Sequence, residues 1–131
     1  DASSLAFFKS LLGVFRKSLE DFTGQELADE HLVQAVELHN KNRALIRALY
    51  ELRKEAPPLI TGSEMTKALV ASMSIPVSEC NDLLRSVTNE VKERRDTPER
   101  QSVRLLVYGA EVDDTTLIDL IEESGANVVM D

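Results

Sequence analysis

Val103–Asp131, VRLLVYGAEVDDTTLIDLIEESGANVVMD, decides the fold. Val103, Leu105, Leu106 and Val107 form a near-continuous apolar run, the pattern of a strand covered on both faces in a parallel sheet. Tyr108-Gly109-Ala110-Glu111 reads as a loop and Val112-Asp113-Asp114 as a helix N-cap, with Leu117, Ile118, Leu120 and Ile121 as the packing face of the helix that follows. Ser124-Gly125 closes that helix, and Asn127-Val128-Val129-Met130 resumes β character. The connection is long enough for a right-handed crossover between parallel neighbours. The reading is thus one β-α-β unit, the start of a Rossmann-like sheet. Two strands and a helix do not make a complete core, so the chain is expected to be a piece of a longer protein, cut at the second strand. Ligands of open α/β sheets occupy the crevice outside the carboxyl ends of the strands. Tyr108, Gly109, Ala110 and Glu111 therefore become the candidate crevice loop, with Gly109 admitting close backbone approach and Glu111 offering a carboxylate.

Upstream, the periodicity is helical. Leu5, Phe8, Leu11, Leu12, Phe15, Leu19 and Phe22 recur at three- and four-residue spacing, and Thr23-Gly24 ends the pattern. A second, long helix is predicted over Asp29–Glu55, with Leu32, Ala35, Val36, Ile46, Leu49, Tyr50 and Arg53 on one stripe; Ala56-Pro57-Pro58 stops it. Thr61 and Glu64 have the spacing of a capping box for a third helix to about Ser74. Pro76 ends that segment, and Ser78 is expected to cap a fourth helix running to about Arg95. The expected organisation is an α/β, predominantly helical chain. It comprises a helical region over 1–95 (about four helices), a polar linker over 96–102 and a truncated β-α-β unit over 103–131.

Composition narrows the function classes. The 131 residues carry a formal charge of −8, a field that repels a nucleic-acid backbone. The local basic group of Lys92, Arg94, Arg95, Arg100 and Arg104 reads as a solvated helix end rather than an anion site. The sequence contains no apolar run long enough to cross a membrane. Cys80 is the only cysteine, which leaves no disulfide framework and no multi-cysteine metal site within the chain and fits a reducing, cytoplasmic setting. It stands in the first turn of a helix with no local histidine beside it, so it reads as a small core side chain. His31 and His39 lack supporting ligands at helical spacing, and His39 is expected on the inner stripe of the long helix near Asn42. Asp113 and Asp114 read as an N-cap and a first-turn carboxylate in preference to a magnesium-gathering pair. No glycine-rich dinucleotide fingerprint, Walker lysine or nucleophile elbow is present, so these residues alone specify no reaction.

The order and wording of the elements resemble a known family. Phe15 with Leu19-Glu20-Asp21-Phe22-Thr23-Gly24, then Asp29-Glu30-His31-Leu32, Ala35–Arg43 and Leu49-Tyr50-Glu51-Leu52-Arg53, are similar to the middle helical region of the 2-hydroxyacyl-CoA dehydratase and benzoyl-CoA reductase family. The likeness, in the manner of a 2-hydroxyglutaryl-CoA dehydratase D-component, continues through Pro57-Pro58, Thr61-Gly62-Ser63-Glu64 and the strand-helix-strand of Arg104–Val129. It implies the central fragment of a subunit of an oxygen-sensitive iron-sulfur enzyme of anaerobic metabolism, acting on acyl-CoA thioesters by radical chemistry as a lyase or an oxidoreductase. It also implies a 4Fe-4S cluster in the parent, with ligands outside this chain and none in the fragment. The implied partners are a second homologous subunit, an ATP-dependent iron-sulfur activator and the acyl-CoA substrate. Tyr108-Gly109-Ala110-Glu111 stands where many dehydratase subunits carry a Ser-Gly-Ser-Pro-like turn. As isolated, the fragment is expected to be inactive and to self-associate through Leu106, Val128 and Val129. The alternative reading is a non-enzymatic helical interaction module with a small α/β appendage.

Overall fold

A computed structural model describes residues 1–109 and 112–131. The elements are α1 (Ala2–Thr23), α2 (Asp29–Lys54), α3 (Gly62–Ser74), α4 (Val77–Glu93), β1 (Val103–Leu106), α5 (Thr115–Glu123) and β2 (Ala126–Met130). This is a helical α/β fold with one small parallel sheet. The chain divides into two compact units, Asp1–Glu37 and Leu38–Asp131. The segment 96–102 runs inside the second unit, because α3 packs against both α5 and β2 across it in sequence.

In the first unit, the Asp1 carboxylate caps α1 by accepting from the amides of Ser3 and Ser4. Gly24 ends the helix in the left-handed region, at φ 66°, where its lack of a Cβ removes the steric penalty. Arg16 then fastens the following turn, donating to the Asp29 carboxylate at 2.7 Å and to the Leu27 carbonyl. No residue of α1 is buried, and its apolar side chains, from Leu5 through Phe22, are exposed. Leu32 and Val36 of α2, expected on an inner stripe, are exposed as well.

The second unit holds the core. Leu49, Leu52, Ile60, Met65, Cys80, Leu84 and Val91 form one buried cluster. The capping box is present: Thr61 Oγ1 accepts from the Glu64 amide, and the Glu64 carboxylate accepts from the Thr61 amide. Gly62 is required by packing, since a Cβ there would lie 2.8 Å from Val128 Cβ and 2.9 Å from Ile118 Cγ2. The same close approach lets Glu122 of α5 accept from the Gly62 amide at 2.8 Å, satisfying a donor left over at the start of α3.

Several local expectations need correction. Helix α4 begins at Val77 with Pro76 at the N-cap position and no side-chain cap, so Ser78 lies inside the first turn; proline pre-sets the entry without needing a hydroxyl. Asp114 alone caps α5, accepting from the Thr116 amide, and Asp113 precedes the helix. Of the packing face read from the sequence, Ile118 is fully buried where α5 packs on β2 and α3, whereas Leu117 and Leu120 are exposed. Val128 is covered by that contact and is not bare. Strand β1 is exposed along its whole length.

Candidate ligand crevice

The two strands pair in parallel, Val103 with Ala126 and Leu105 with Val128, with an irregularity between Leu105 and Leu106. The Val107 amide then donates to the Met130 carbonyl at 2.9 Å, which brings the carboxyl ends of both strands to one place. Beyond them lies a concavity of about 350 Å³. Tyr108 and Gly109 line it from the end of β1, Asp131 from the end of β2, and Tyr50 and Leu69 from α2 and α3. Two of the four residues read from the sequence as the crevice loop are thus at the concavity. Tyr108 is exposed, and the space around Gly109 is open, with nothing within 4 Å of where its Cβ would stand. Ala110 and Glu111 lie outside the described residues.

What the sequence reading missed is the cluster that fixes the floor. Asp131 receives a two-pronged hydrogen bond from Arg53, Nη1 to Oδ2 at 2.9 Å and Nη2 to Oδ1 at 3.1 Å, and Oδ1 also accepts from the Tyr50 hydroxyl. The Arg53 side chain is 0% exposed, and its guanidinium lies 4.6 Å from the centre of the Tyr50 ring. A planar fork matched to a carboxylate is the geometry in which arginine is not replaceable by lysine. Burial, and then the hydrogen bond to Asp131, push the Tyr50 phenol up to about 12, so it stays a neutral donor at neutral pH. Burial alone would raise the Asp131 carboxyl; the bonds from Arg53 and Tyr50 outweigh it and hold the group below the ordinary carboxylate range. Asp131 is therefore an anion already engaged by its neighbours. Arg53 Nε is buried without an acceptor among the described residues.

A signal for this cluster was present. Arg53 stands three residues after Tyr50 and one turn after Leu49 on an otherwise apolar stripe, and an arginine at a buried position implies a carboxylate close by. Which carboxylate it meets depends on a strand 78 positions away.

The remaining candidates are dispersed. Cys80 is 1% exposed and receives a hydrogen bond from Asn42 Nδ2, which is also 3.1 Å from Asn81 Oδ1; it is a packed core thiol. His39 is exposed on α2 and not on its inner stripe, because the buried face of α2 starts further along, at Leu49. Within the basic group, Arg94 is committed to Glu64 and Asp96, at 2.9 and 3.3 Å. No three His, Cys, Asp or Glu side chains among the described residues come together as a metal site. A cysteine-ligated 4Fe-4S cluster does not fit the residues of this chain, whose one thiol is closed off in the helical core. No helix among the described residues is long and apolar enough to cross a membrane.

A crevice at the carboxyl ends of parallel strands, joined to this series of helices, agrees with the family resemblance of the sequence. Residues 1–131 match the family model described as "2-hydroxyglutaryl-CoA dehydratase, D-component". The chain belongs to that family. Among curated members, it is 26% identical over 127 residues to a benzoyl-CoA reductase subunit of Thauera aromatica, covering 95% of this chain and 33% of that protein. Against the (R)-phenyllactyl-CoA dehydratase beta subunit of Clostridium sporogenes it is 23% identical over 125 residues, covering 95% of the chain and 33% of the relative. The putative dehydratase subunit YjiM of Escherichia coli (strain K12) is 25% identical over 134 residues, 98% of the chain and 35% of the relative. The chain thus spans about a third of the length of these relatives.

Proposed function

We propose that the chain is the central segment of a subunit of an iron-sulfur, radical-type 2-hydroxyacyl-CoA dehydratase or benzoyl-CoA reductase, acting on acyl-CoA thioesters. The observation that carries this reading is the family match over residues 1–131 in a chain spanning about a third of its relatives. The crevice at Gly109 and Asp131 supports it, because parallel α/β sheets bind ligands at that end. In this reading the 4Fe-4S cluster is held by residues outside this chain, and no step of the reaction is assigned to the residues present. Their role is to shape the wall of the crevice: Arg53 and Tyr50 hold Asp131, and Gly109 keeps the opposite side clear of a side chain.

The same reading assigns the parent two protein partners, a second homologous subunit and an ATP-dependent iron-sulfur activator, and a cytoplasmic location. The isolated segment is inactive and self-associates through the exposed strand β1. The test is to express the whole parent reading frame anaerobically with its partner subunit, and to supply activator, ATP and reductant. Formation of an enoyl-CoA from a 2-hydroxyacyl-CoA identifies a dehydratase; loss of the aromatic absorbance of benzoyl-CoA identifies a reductase. Neither activity from a cluster-loaded complex would overturn the reading. In that case the alternative of a non-enzymatic interaction module gains, and the exposed apolar side chains of α1 are the observation that favours it.

A further inference from the structure

Helix α1 carries a pattern stricter than that of an ordinary surface helix. Leu5, Leu12 and Leu19 stand seven residues apart, and Phe8, Phe15 and Phe22 repeat that spacing three residues further on. This is an uninterrupted a/d seam, and a strict seven-residue repeat selects another helix lying along it rather than a sheet or an irregular loop. The seam is about 26 Å long. Helix α2 leaves it open. Leu12, Phe15 and Leu19 border an apolar groove of about 510 Å³ with Leu32 and Val36 of α2. Phe8, Phe15 and Phe22 remain 57%, 61% and 89% exposed. The chain has four phenylalanines and all of them lie on α1, although aromatic side chains are what the buried centres of interfaces are built from.

A second copy of α1 is a poor occupant. The positions flanking the seam hold Lys9 and Arg16 on one side and Ser4, Leu11 and Ser18 on the other. Parallel copies would face the cations with serine and leucine, and antiparallel copies would face cation with cation, so no opposite charges select either pairing. Arg16 is held by Glu20 and Asp29. Lys9, at the border of the groove, meets no carboxylate among the described residues. The seam therefore suits an amphipathic helix with an acidic edge beside Lys9. The curated relatives are about three times as long as this chain. A helix from the same polypeptide is tethered, so it meets the seam at an effective concentration that a separate partner lacks. It also covers the phenylalanines before any subunit assembles, when a bare apolar face would invite nonspecific association. Resting on the reading of these residues as a segment of a longer subunit, we infer that the α1 seam is covered by an amphipathic helix of the same parent polypeptide, from outside residues 1–131, and not by the partner subunit.

The experiment uses the full-length parent subunit in complex with its partner. p-Benzoylphenylalanine, which keeps an aromatic ring, replaces Phe8, Phe15 or Phe22 in turn, and the irradiated complexes are digested and mapped by mass spectrometry. The expected adducts lie within one polypeptide, on a peptide outside residues 1–131, with the Phe8 and Phe22 attachments about 14 residues apart along it. Lys17→p-benzoylphenylalanine, on the far side of α1, should give none. Adducts to the partner subunit, to a second copy or to residues 1–131 themselves would overturn the inference and leave the dehydratase or reductase reading intact. So would the absence of any protein adduct at the three seam positions, adducts scattered over several peptides, or equal yield at Lys17. A parent reading frame no longer than this chain would overturn the segment reading, and the inference with it.

Discussion

Asp1–Glu37 and Leu38–Asp131 carry apolar helical stripes of similar quality, and they use them in opposite ways. In the first unit Leu12, Phe15 and Leu32 keep 51%, 61% and 41% of their surface exposed; in the second, Leu49, Met65 and Leu84 keep 0%, 0% and 2%. Helix α2 passes through both regimes, exposed at Leu32 and Val36 and buried at Leu49, Leu52 and Arg53. Periodicity identifies a face that favours burial. It does not say whether a partner for that face is encoded within the same stretch of chain.

The contrast is sharpest in core truncation. Leu49→Ala is expected to cost about 2–5 kcal/mol of unfolding free energy by urea titration, from lost burial plus the cavity left behind. Phe15→Ala should change the same quantity by less than about 0.5 kcal/mol, because the exposed ring has no cavity to leave. A comparable cost at both positions would mean that the first unit is packed in solution and that the two regions do not differ.

Ion pairs give a second comparison. Removing the Asp131 carboxylate by Asp131→Ala leaves Arg53 buried without its acceptor and should cost about 3 kcal/mol, the low end of the range for a broken buried pair because the Asp131 side chain is itself 16% exposed. Asp29→Ala, which breaks the Arg16 pair at the surface, should leave the unfolding midpoint unmoved. The buried cluster also predicts a pH signature. The Asp131 carboxyl titrates lower in the folded chain than in the unfolded one, so its contribution is present above the unfolded value and lost as pH falls through the folded value. The Tyr50 phenol, raised to about 12, contributes below the ordinary tyrosine range and loses that contribution as pH rises towards 12. Tyr50→Phe should flatten the alkaline limb, and Asp131→Asn the acidic one, in stability measured against pH.

Glycines provide the smallest and most local test. Gly62→Ala should destabilise by about 1–3 kcal/mol, since its Cβ must displace Val128 or Ile118. Gly13→Ala, in the middle of α1 with nothing within 4 Å of the new methyl, should stabilise that helix by about 0.5–1 kcal/mol through lower backbone entropy, read as increased helicity. Opposite signs from one substitution would separate the closely packed unit from the open one.

These pairs also show what was legible in the sequence. The helices, the capping box at Thr61 and Glu64 and the parallel strand-helix-strand were readable, because each is set by spacing within a few residues. The strand end at Gly109 followed from the same local logic. The exposure of α1, the close contact at Gly62 and the Arg53–Asp131 pair were not readable, since each depends on which distant surface arrives. Ser78 and Asp113 misled for a smaller reason. Both have the right side chain for a cap, but Ser78 falls inside the first turn of α4, past the cap position, and Asp113 falls before the cap position of α5.

Arg53 and Tyr50 bond to Asp131 at the carboxyl end of β2, and the proposed role of these bonds is to hold the crevice in shape. Amide hydrogen exchange at Val107, which donates to Met130 across the strand ends, measures this when the natural chain is compared with Asp131→Asn. Val107 should be protected in the natural chain and lose that protection in the variant, while amides around Leu49 in α2 remain protected in both. Equal protection of Val107 with and without the carboxylate would show that the strand end holds without the cluster, and that Arg53 and Tyr50 do not shape the crevice.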